Sequence, residues 1–372
     1  MTADKFDKEI AEELASEFGF HSVKNTEKFI MNFRVHKILS AEMSCCLRGG
    51  LCTPFYATNP KAKRVSIDLD LFVEDTREMA ISKITRVLKG SGMKITARKP
   101  RIIKNLLQFD LKYPTTRLLH DEKEHMRIDV MYDVDFNPPV KSISSGHRIF
   151  IGKTDYDVTA LTRGCLVADK IATLAIKGTG YTKEIKTPKQ IHDIAYLLDE
   201  LSTDDLAESF NVFKVITEFK TTWSEKGSAI EVIQHVIAFL SELLVANSKI
   251  YLKQKYKSNF DEFKRDYLSS KVYYSHDELK FNILKTLLYA LCTKKTIMGE
   301  INADDAAKIA HDGINDTEKP MGEIKNVLKN KPFFIGNMPS AHIKDAIDNE
   351  SDRVLHVFYF MWKLDSGGML KG

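Results

Sequence analysis

The sequence predicts an α+β protein in which a small mixed-sheet domain is followed by a helical domain. Three observations favour this class: short strand-like runs cluster between residues 45 and 132, a helix interrupts them in strand–helix–strand order, and from about residue 203 the apolar positions recur at helical spacing. We therefore expect one domain over residues 1–202 and a helical domain over residues 203–372.

The first domain should begin with two helices, over residues 4–18 and 26–42, the second capped by Asn25 or Thr26. Apolar and polar alternation then predicts strands at 45–48, 65–73, 93–98, 102–113 and 126–132, with a helix over 77–89. Residues 132–145 are rich in Pro, Asp, Asn and Ser and predict a loop. Further helices are expected at 161–177, 187–201, 229–246, 277–293 and 352–363.

Composition excludes several classes of protein. The net charge of +4 is too mild to mark a nucleic-acid binder by itself. Five cysteines without CxxC spacing predict a reduced, intracellular chain that has no zinc site. No apolar segment approaches the roughly 20 residues that a membrane span requires. We expect a cytoplasmic protein without membrane partners.

Asp68 and Asp70 are the most informative pair in the chain. They lie in the apolar run 67–73, whose period of two is typical of a strand. Residues two apart on a strand share a face and lie roughly 7 Å apart, so both carboxylates point the same way. Like charges held this close repel each other and are costly to desolvate. A divalent cation between them would remove that cost, although such a pair also occurs on solvent-facing edge strands.

Two further features extend this pattern. Asp129 stands alone in the apolar strand 126–132, as a third ligand on a neighbouring strand would. Three carboxylates of this kind suit Mg²⁺, which shares its remaining positions with waters and substrate phosphates. Gly49 and Gly50 follow a short apolar run at a predicted strand-to-helix turn, where backbone amides can cradle a phosphate. The simpler interpretation of the glycines is an ordinary tight turn.

Together these motifs resemble the nucleotidyltransferase superfamily typified by DNA polymerase β. The form Arg-x-Ser-x-Asp-Leu-Asp over residues 64–70 is similar to that of its AbiEii/AbiGii toxin-like branch. Two later elements resemble the same branch: residues 168–174, a helix that bears Lys170, and residues 189–198, a helix that keeps Asp193. The resemblance covers about residues 40–200. The chain differs from the branch at two positions: it has Gln190 where an acid is common and Lys189 where an arginine is usual.

The resemblance implies a role for each of these residues. The three aspartates would bind the metal ion, and Asp129 is also a candidate base. The implied cofactor is Mg²⁺ or Mn²⁺, and the implied substrate is an NTP. Lys170 would carry positive charge to the triphosphate, and Asp193 would orient Lys170 or bind the base or sugar. The residues expected near the nucleotide are Gly49, Gly50, Arg64, Ser66 and Lys170, and those expected in catalysis are Asp68, Asp70, Asp129, Lys170 and Asp193.

Each assignment has an ordinary structural alternative. Lys170 could be a solvated helix lysine, and Asp193 could form a helix-surface ion pair with Lys189. Ser66 could be a strand hydroxyl without a ligand, and Arg64 could pair with a carboxylate in the core.

The function that the resemblance implies is Mg²⁺-dependent transfer of a nucleoside monophosphate from an NTP to an RNA acceptor, in particular a tRNA 3′ end. It also implies a toxin paired with an antitoxin protein. A protein-modifying NMP transferase, a metal-dependent nuclease and a non-catalytic nucleotide- or RNA-binding module are the alternatives. The sequence identifies neither the NTP nor the acceptor.

Overall fold

The structure is a computed structural model that describes residues 8–98, 105–115, 123–132, 135, 137–149, 152–175, 187–221, 228–246, 250–315, 324–326, 328 and 352–365. The chain divides into two compact units. The first is Met1–Thr162 together with Glu262–Tyr273, and the second is Arg163–Asp261 together with Tyr274–Gly372. The boundary expected near residue 202 falls inside the second unit. The division into domains 1–202 and 203–372 stays a prediction.

The first unit begins with α1 (Lys8–Phe18) and α2 (Val23–Ser40), and continues through the short helix α3 (Thr53–Tyr56) and the longer helix α4 (Arg77–Gly90). Its strands are β1 (Cys46–Arg48), β2 (Asp68–Val73), β3 (Lys94–Ala97), β4 (Leu106–Pro114), β5 (Lys123–Tyr132), β6 (Val140–Ile143), β7 (Arg148–Ile149), β8 (Gly152–Lys153) and β9 (Val158–Leu161). This order of helices and strands agrees with the predicted mixed-sheet domain.

Seven of the described strands form one mixed sheet in the order β3-β4-β5-β2-β1-β9-β6, and β7 pairs with β8 in a separate hairpin. The pairs β2–β5 and β1–β9 are parallel, and the remaining pairs of the large sheet are antiparallel. Alternate side chains on the central strands are buried on one face, where α2 contacts β2 and α4. The intervening side chains of β2, β4 and β5 lie on the opposite, polar face.

Most predicted elements of this unit are confirmed, two details are wrong and one is not tested. Strand β6 lies within the predicted loop 132–145, where it pairs with β9. Helix α2 begins at Val23, and its cap is Ser22, whose hydroxyl accepts from the Asn25 amide at 3.2 Å. Residues 99–104, where the strand predicted over 102–113 would begin, lie outside the described residues.

The second unit is helical, as expected for the later part of the chain. It contains α5 (Arg163–Ala172), α6 (Thr187–Leu198), α7 (Thr203–Thr221), α8 (Ala229–Ala246), α10 (His276–Ile297), α11 (Ala303–Asn315), α12 (Asp352–Asp365) and the start of α9 (Ile250–Tyr267). Helix α10 is central: it contacts α6, α7, α8, α11 and α12. It is buried on nearly all sides, as an interior helix must be.

Two predictions from composition are also checked by the structure. All five cysteines are buried and free of disulfide bonds. Among the described helices, none has the length and apolar character needed to cross a membrane.

Candidate active site

The turn after β1 brings Gly49 against Asp70. Gly49 has φ +68°, a left-handed conformation that favours glycine, and opens a 3-10 turn that ends at Leu51. Strand β1 pairs antiparallel with β2 so that Arg48 lies opposite Asp70. A Cβ atom at Gly49 would collide with Oδ2 of Asp70 and lie 2.7 Å from its Cγ. Glycine is therefore required here both by the backbone and by the carboxylate beside it.

A second aspartate lies directly beside Asp70 on the neighbouring strand. Strands β2 and β5 are parallel, and their register pairs Asp70 with Asp129. On the far side of β5, Gln108 of β4 is the partner of Asp129. We call Gln108, Asp129, Asp70 and Arg48 the carboxylate row. It crosses four strands on the polar face of the sheet, and both aspartates in it are half-buried.

Asp68 lies in the adjacent row, two residues earlier on β2. Its register partner on β5 is Arg127, whose partner on β4 is Asp110. Asp110 accepts two hydrogen bonds from the Arg98 guanidinium, at 2.6 and 2.7 Å, and this lowers the pKa of Asp110. The structure thus places Asp68, Asp70 and Asp129 on one face, as the period of two predicted.

Asp129 shows the electrostatic cost of this arrangement. Burial, followed by the negative charges of Asp70 and Asp68, raises the pKa of Asp129 from 3.8 to about 7. Arg127 opposes the rise, as does a 3.1 Å hydrogen bond that Gln108 Nε2 donates to Asp129 Oδ1. The fold therefore brings three carboxylates together and compensates their charge only in part.

The donor set suits a hard cation, because it consists of carboxylate oxygens alone. In the described part of the chain, however, no three His, Cys, Asp or Glu side chains are placed closely enough to hold a metal ion. The aspartate side chains would have to rotate toward one another to bind one. The three residues fit Mg²⁺ by chemistry and by strand position, with that adjustment of side-chain angles.

The other nucleotide-binding candidates meet at Gly50. A Cβ atom there would collide with the Ser66 hydroxyl and lie 2.8 Å from Nη2 of Arg64. Both side chains belong to residues that are only 2% exposed. Gly50 therefore lies directly against a hydroxyl and a guanidinium, which are two donors that suit a phosphate.

The segment that carries Arg64 and Ser66 is fixed from two sides. The Val65 amide donates to the Tyr267 carbonyl at 3.0 Å, and Arg64 forms an isolated β-bridge with Leu268. From α2, Asn32 Nδ2 donates to the Ser66 carbonyl at 3.1 Å. These contacts orient the segment as it enters β2 and so determine where Ser66 points.

Lys170 and Asp193 form a buried ion pair in the second unit. Lys170 Nζ lies 2.6 Å from Asp193 Oδ2, and the two side chains are 3% and 0% exposed. His192 Nδ1 lies 3.7 Å from the other Asp193 oxygen, and its ring packs between Tyr196 and Tyr274. The alternatives of a solvated lysine and a surface ion pair are therefore wrong for these two residues.

Sequence reasoning missed Gln108 and Arg127, the polar partners of the aspartates. The signal was present in the alternation of β4, where the polar residues Gln108, Asp110 and Lys112 follow one another at period two. A single polar residue in a strand carries no sign of what it will contact. Only the strand register identifies these residues as neighbours of the aspartates.

Comparison with known families agrees with this geometry. The family model described as the nucleotidyl transferase AbiEii toxin of type IV toxin–antitoxin systems matches residues 40–279. No curated protein matches the chain. The matched range contains the turn at Gly49, all three aspartates and the Lys170–Asp193 pair. It covers well over half of the 372 residues. The chain therefore belongs to the AbiEii family of nucleotidyl transferase toxins.

Proposed function

We propose that this protein transfers a nucleoside monophosphate from an NTP to a hydroxyl of an RNA acceptor, in a reaction that depends on Mg²⁺ or Mn²⁺. The observation that carries the proposal is the row in which Asp70 and Asp129 are neighbours on parallel strands, with Asp68 in the adjacent row and Gly49 against Asp70. Membership of a nucleotidyl transferase family supports the same reaction class.

In the proposed reaction, the acceptor hydroxyl attacks the α-phosphorus of the NTP, the bond to the β-phosphate breaks and pyrophosphate leaves. Asp68, Asp70 and Asp129 would hold the cation, which when bound neutralises charge on both the carboxylates and the triphosphate. Asp129, which lies beside Asp70 in the carboxylate row, is also the candidate acceptor of the hydroxyl proton.

The phosphates would be held by donors around the glycine turn. The Ser66 hydroxyl and the Arg64 guanidinium both lie against Gly50. Because these groups are buried and held by neighbouring segments, they would bind without a large loss of side-chain entropy. The predicted contribution of Lys170 to triphosphate binding, with Asp193 as its orienting partner, stays a prediction.

The family name indicates a toxin of a toxin–antitoxin system, so we infer that an antitoxin protein accompanies this chain. An RNA acceptor, with a tRNA 3′ end as the first choice, is part of the proposal. Attachment of the same monophosphate to a protein hydroxyl is the alternative. The two differ only in which macromolecule carries the label.

The test is incubation of the protein with each of the four α-labelled NTPs, MgCl₂ and total RNA, followed by separation of RNA from protein. We expect label on RNA with at least one NTP, no label in EDTA, and no label with Asp70→Ala. Glu74→Gln serves as the control, because Glu74 is exposed just beyond β2. Unlabelled RNA and protein with all four NTPs would overturn the proposal, and RNA cleavage without NTP would indicate a nuclease.

A further inference from the structure

The polar face of the sheet carries a row of basic side chains near its β3 edge. The register of β3 and β4 places Lys94 opposite Lys112, and the register of β4 and β5 places Lys112 opposite His125. All three side chains are exposed. We call Lys94, Lys112 and His125 the basic row. It runs across three strands, which are about 4.8 Å apart, so its side chains are closely and evenly spaced.

This arrangement has an electrostatic cost in the protein alone. Like charges directly opposite each other on antiparallel strands are destabilising, and Lys94 and Lys112 form such a pair. A lysine on an edge strand commonly prevents edge-to-edge aggregation, which would explain Lys94 on β3. That explanation does not cover Lys112 and His125, which lie on the interior strands β4 and β5. An anionic ligand would remove the cost.

The basic row lies on the same face as the carboxylate row. His125 and Asp129 belong to one strand and are four residues apart, which is an even number, so both point to the polar face. The distance along the strand is about 13 Å. Between them lies the row of Asp110, Arg127 and Asp68, in which Arg98 neutralises Asp110 and Arg127 lies between the two aspartates. A bound anionic chain that follows β4 and β5 would thus pass two guanidinium groups before it reached Asp129.

We propose that the basic row binds backbone phosphates of the acceptor polynucleotide and thereby directs its terminal hydroxyl to the carboxylate row. This inference rests on the proposed function, and it adds the surface on which the acceptor lies. A polynucleotide suits the row because each nucleotide carries a phosphate, so regularly spaced anions meet regularly spaced cations. A protein acceptor would present a hydroxyl with no such obligatory charge around it.

The test measures the binding of a fluorescein-labelled single-stranded oligoribonucleotide by fluorescence anisotropy at several salt concentrations. The variant is Lys94→Gln/Lys112→Gln. Its matched control, Arg86→Gln/Lys89→Gln, removes two exposed charges from α4 of the same unit. We expect the variant to bind about 10- to 100-fold more weakly, and its plot of log K against log salt to be shallower by about 1.4. The control should bind as the wild type does.

Equal affinity and equal salt dependence for the variant and the wild type would overturn the inference, even if an acidic protein bound the same face. Wild-type protein that fails to bind RNA yet labels a protein substrate in an Asp70-dependent manner would also overturn it, while leaving NMP transfer intact. If the oligoribonucleotide binds through the basic row but no NTP ever labels it, the proposed function fails and the acceptor role of the row fails with it, whereas RNA binding by the basic row is retained.

Discussion

The charged groups of the two units are arranged in opposite ways. In the first unit, Asp68, Asp70 and Asp129 are neighbours of the same sign, and burial together with their mutual repulsion raises the pKa of Asp129. In the second unit, Lys170 and Asp193 are of opposite sign, deeply buried and 2.6 Å apart. The repulsion among the carboxylates raises the pKa of Asp129, whereas the ion pair is compensated within the fold. Removing a charge should therefore relieve the first cluster and damage the second.

Asp70→Asn should have the largest effect on activity. We expect NMP transfer to fall by about 10³-fold or more, because a group that holds charge at the reacting phosphates is lost. The free energy of unfolding should stay level or rise by about 1 kcal/mol, because repulsion with Asp129 is relieved. Initial rates of label transfer and urea denaturation measure the two effects. A variant that keeps the wild-type transfer rate would refute the assignment of Asp70.

Lys170→Met should have the largest effect on stability, with a loss of about 3–5 kcal/mol, since Asp193 is left buried without its partner. The double variant Lys170→Met/Asp193→Leu should regain most of that loss, because a hydrophobic pair can replace a buried ion pair. Urea denaturation compares the three proteins. If the single variant unfolds like the wild type, the contrast between the two clusters is wrong.

The same double variant also separates two roles for Lys170. Recovery of both stability and transfer would mean that the pair is only structural. Recovery of stability without transfer would support the predicted contact between Lys170 and the triphosphate.

Gly49→Ala should reduce both stability and activity, and Gly92→Ala provides a matched comparison. Both glycines have positive φ, +68° and +78°, so alanine should cost about 1–2 kcal/mol at either position. At Gly92 no atom lies within 4 Å of the added methyl group, whereas at Gly49 the methyl group meets Asp70. We expect transfer to fall about 100-fold only for Gly49→Ala. Equal activity of the two variants would show that Asp70 does not need its present position.

The smallest expected effect is a pH dependence of stability in metal-free protein. The pKa of Asp129 is about 7 in the folded state and has its ordinary value of 3.8 in the unfolded state. Between pH 4 and pH 7, Asp129 therefore carries a proton in the folded state that it has lost in the unfolded state. The free energy of unfolding should therefore fall, by about 1–2 kcal/mol, as pH rises from 4 to 8. Urea denaturation in EDTA should show this slope for the wild type and a flatter one for Asp129→Asn. MgCl₂ should also flatten it, and an unchanged slope in MgCl₂ would argue against a cation at Asp129.

The elements with a clear period were predictable, and those determined by distant partners were not. The helix over 229–246 and the strand that holds Asp68 and Asp70 follow from local alternation of apolar and polar residues. Strand β6, in contrast, contains the polar sequence Val-Lys-Ser-Ile and follows a proline-rich segment. It is a strand because it pairs with β9, and no local property of the sequence announces that pairing.

The candidate site, like the fold, was predictable where it depends on local sequence pattern and not where it depends on distant partners. Local pattern placed both aspartates of β2 on one face and singled out Asp129 in a neighbouring strand, and the family resemblance supplied Lys170 and Asp193. Whether Lys170 was solvated or buried depended on where α6 packs, which no pattern within α5 reveals. The neighbours Gln108 and Arg127 depended on strand register, because a one-residue shift would have turned both to the opposite face.

The segment Glu262–Tyr273 returns to the first unit from late in the chain, where its backbone pairs with Arg64 and Val65. During synthesis on the ribosome, Gly50 and Ser66 emerge early, but the strand edge beside them is completed only after Tyr273 has been made. A nascent chain that stops at residue 202 contains every predicted catalytic residue yet lacks this support. The backbone support of this segment is therefore complete only once the chain has been synthesised as far as Tyr273.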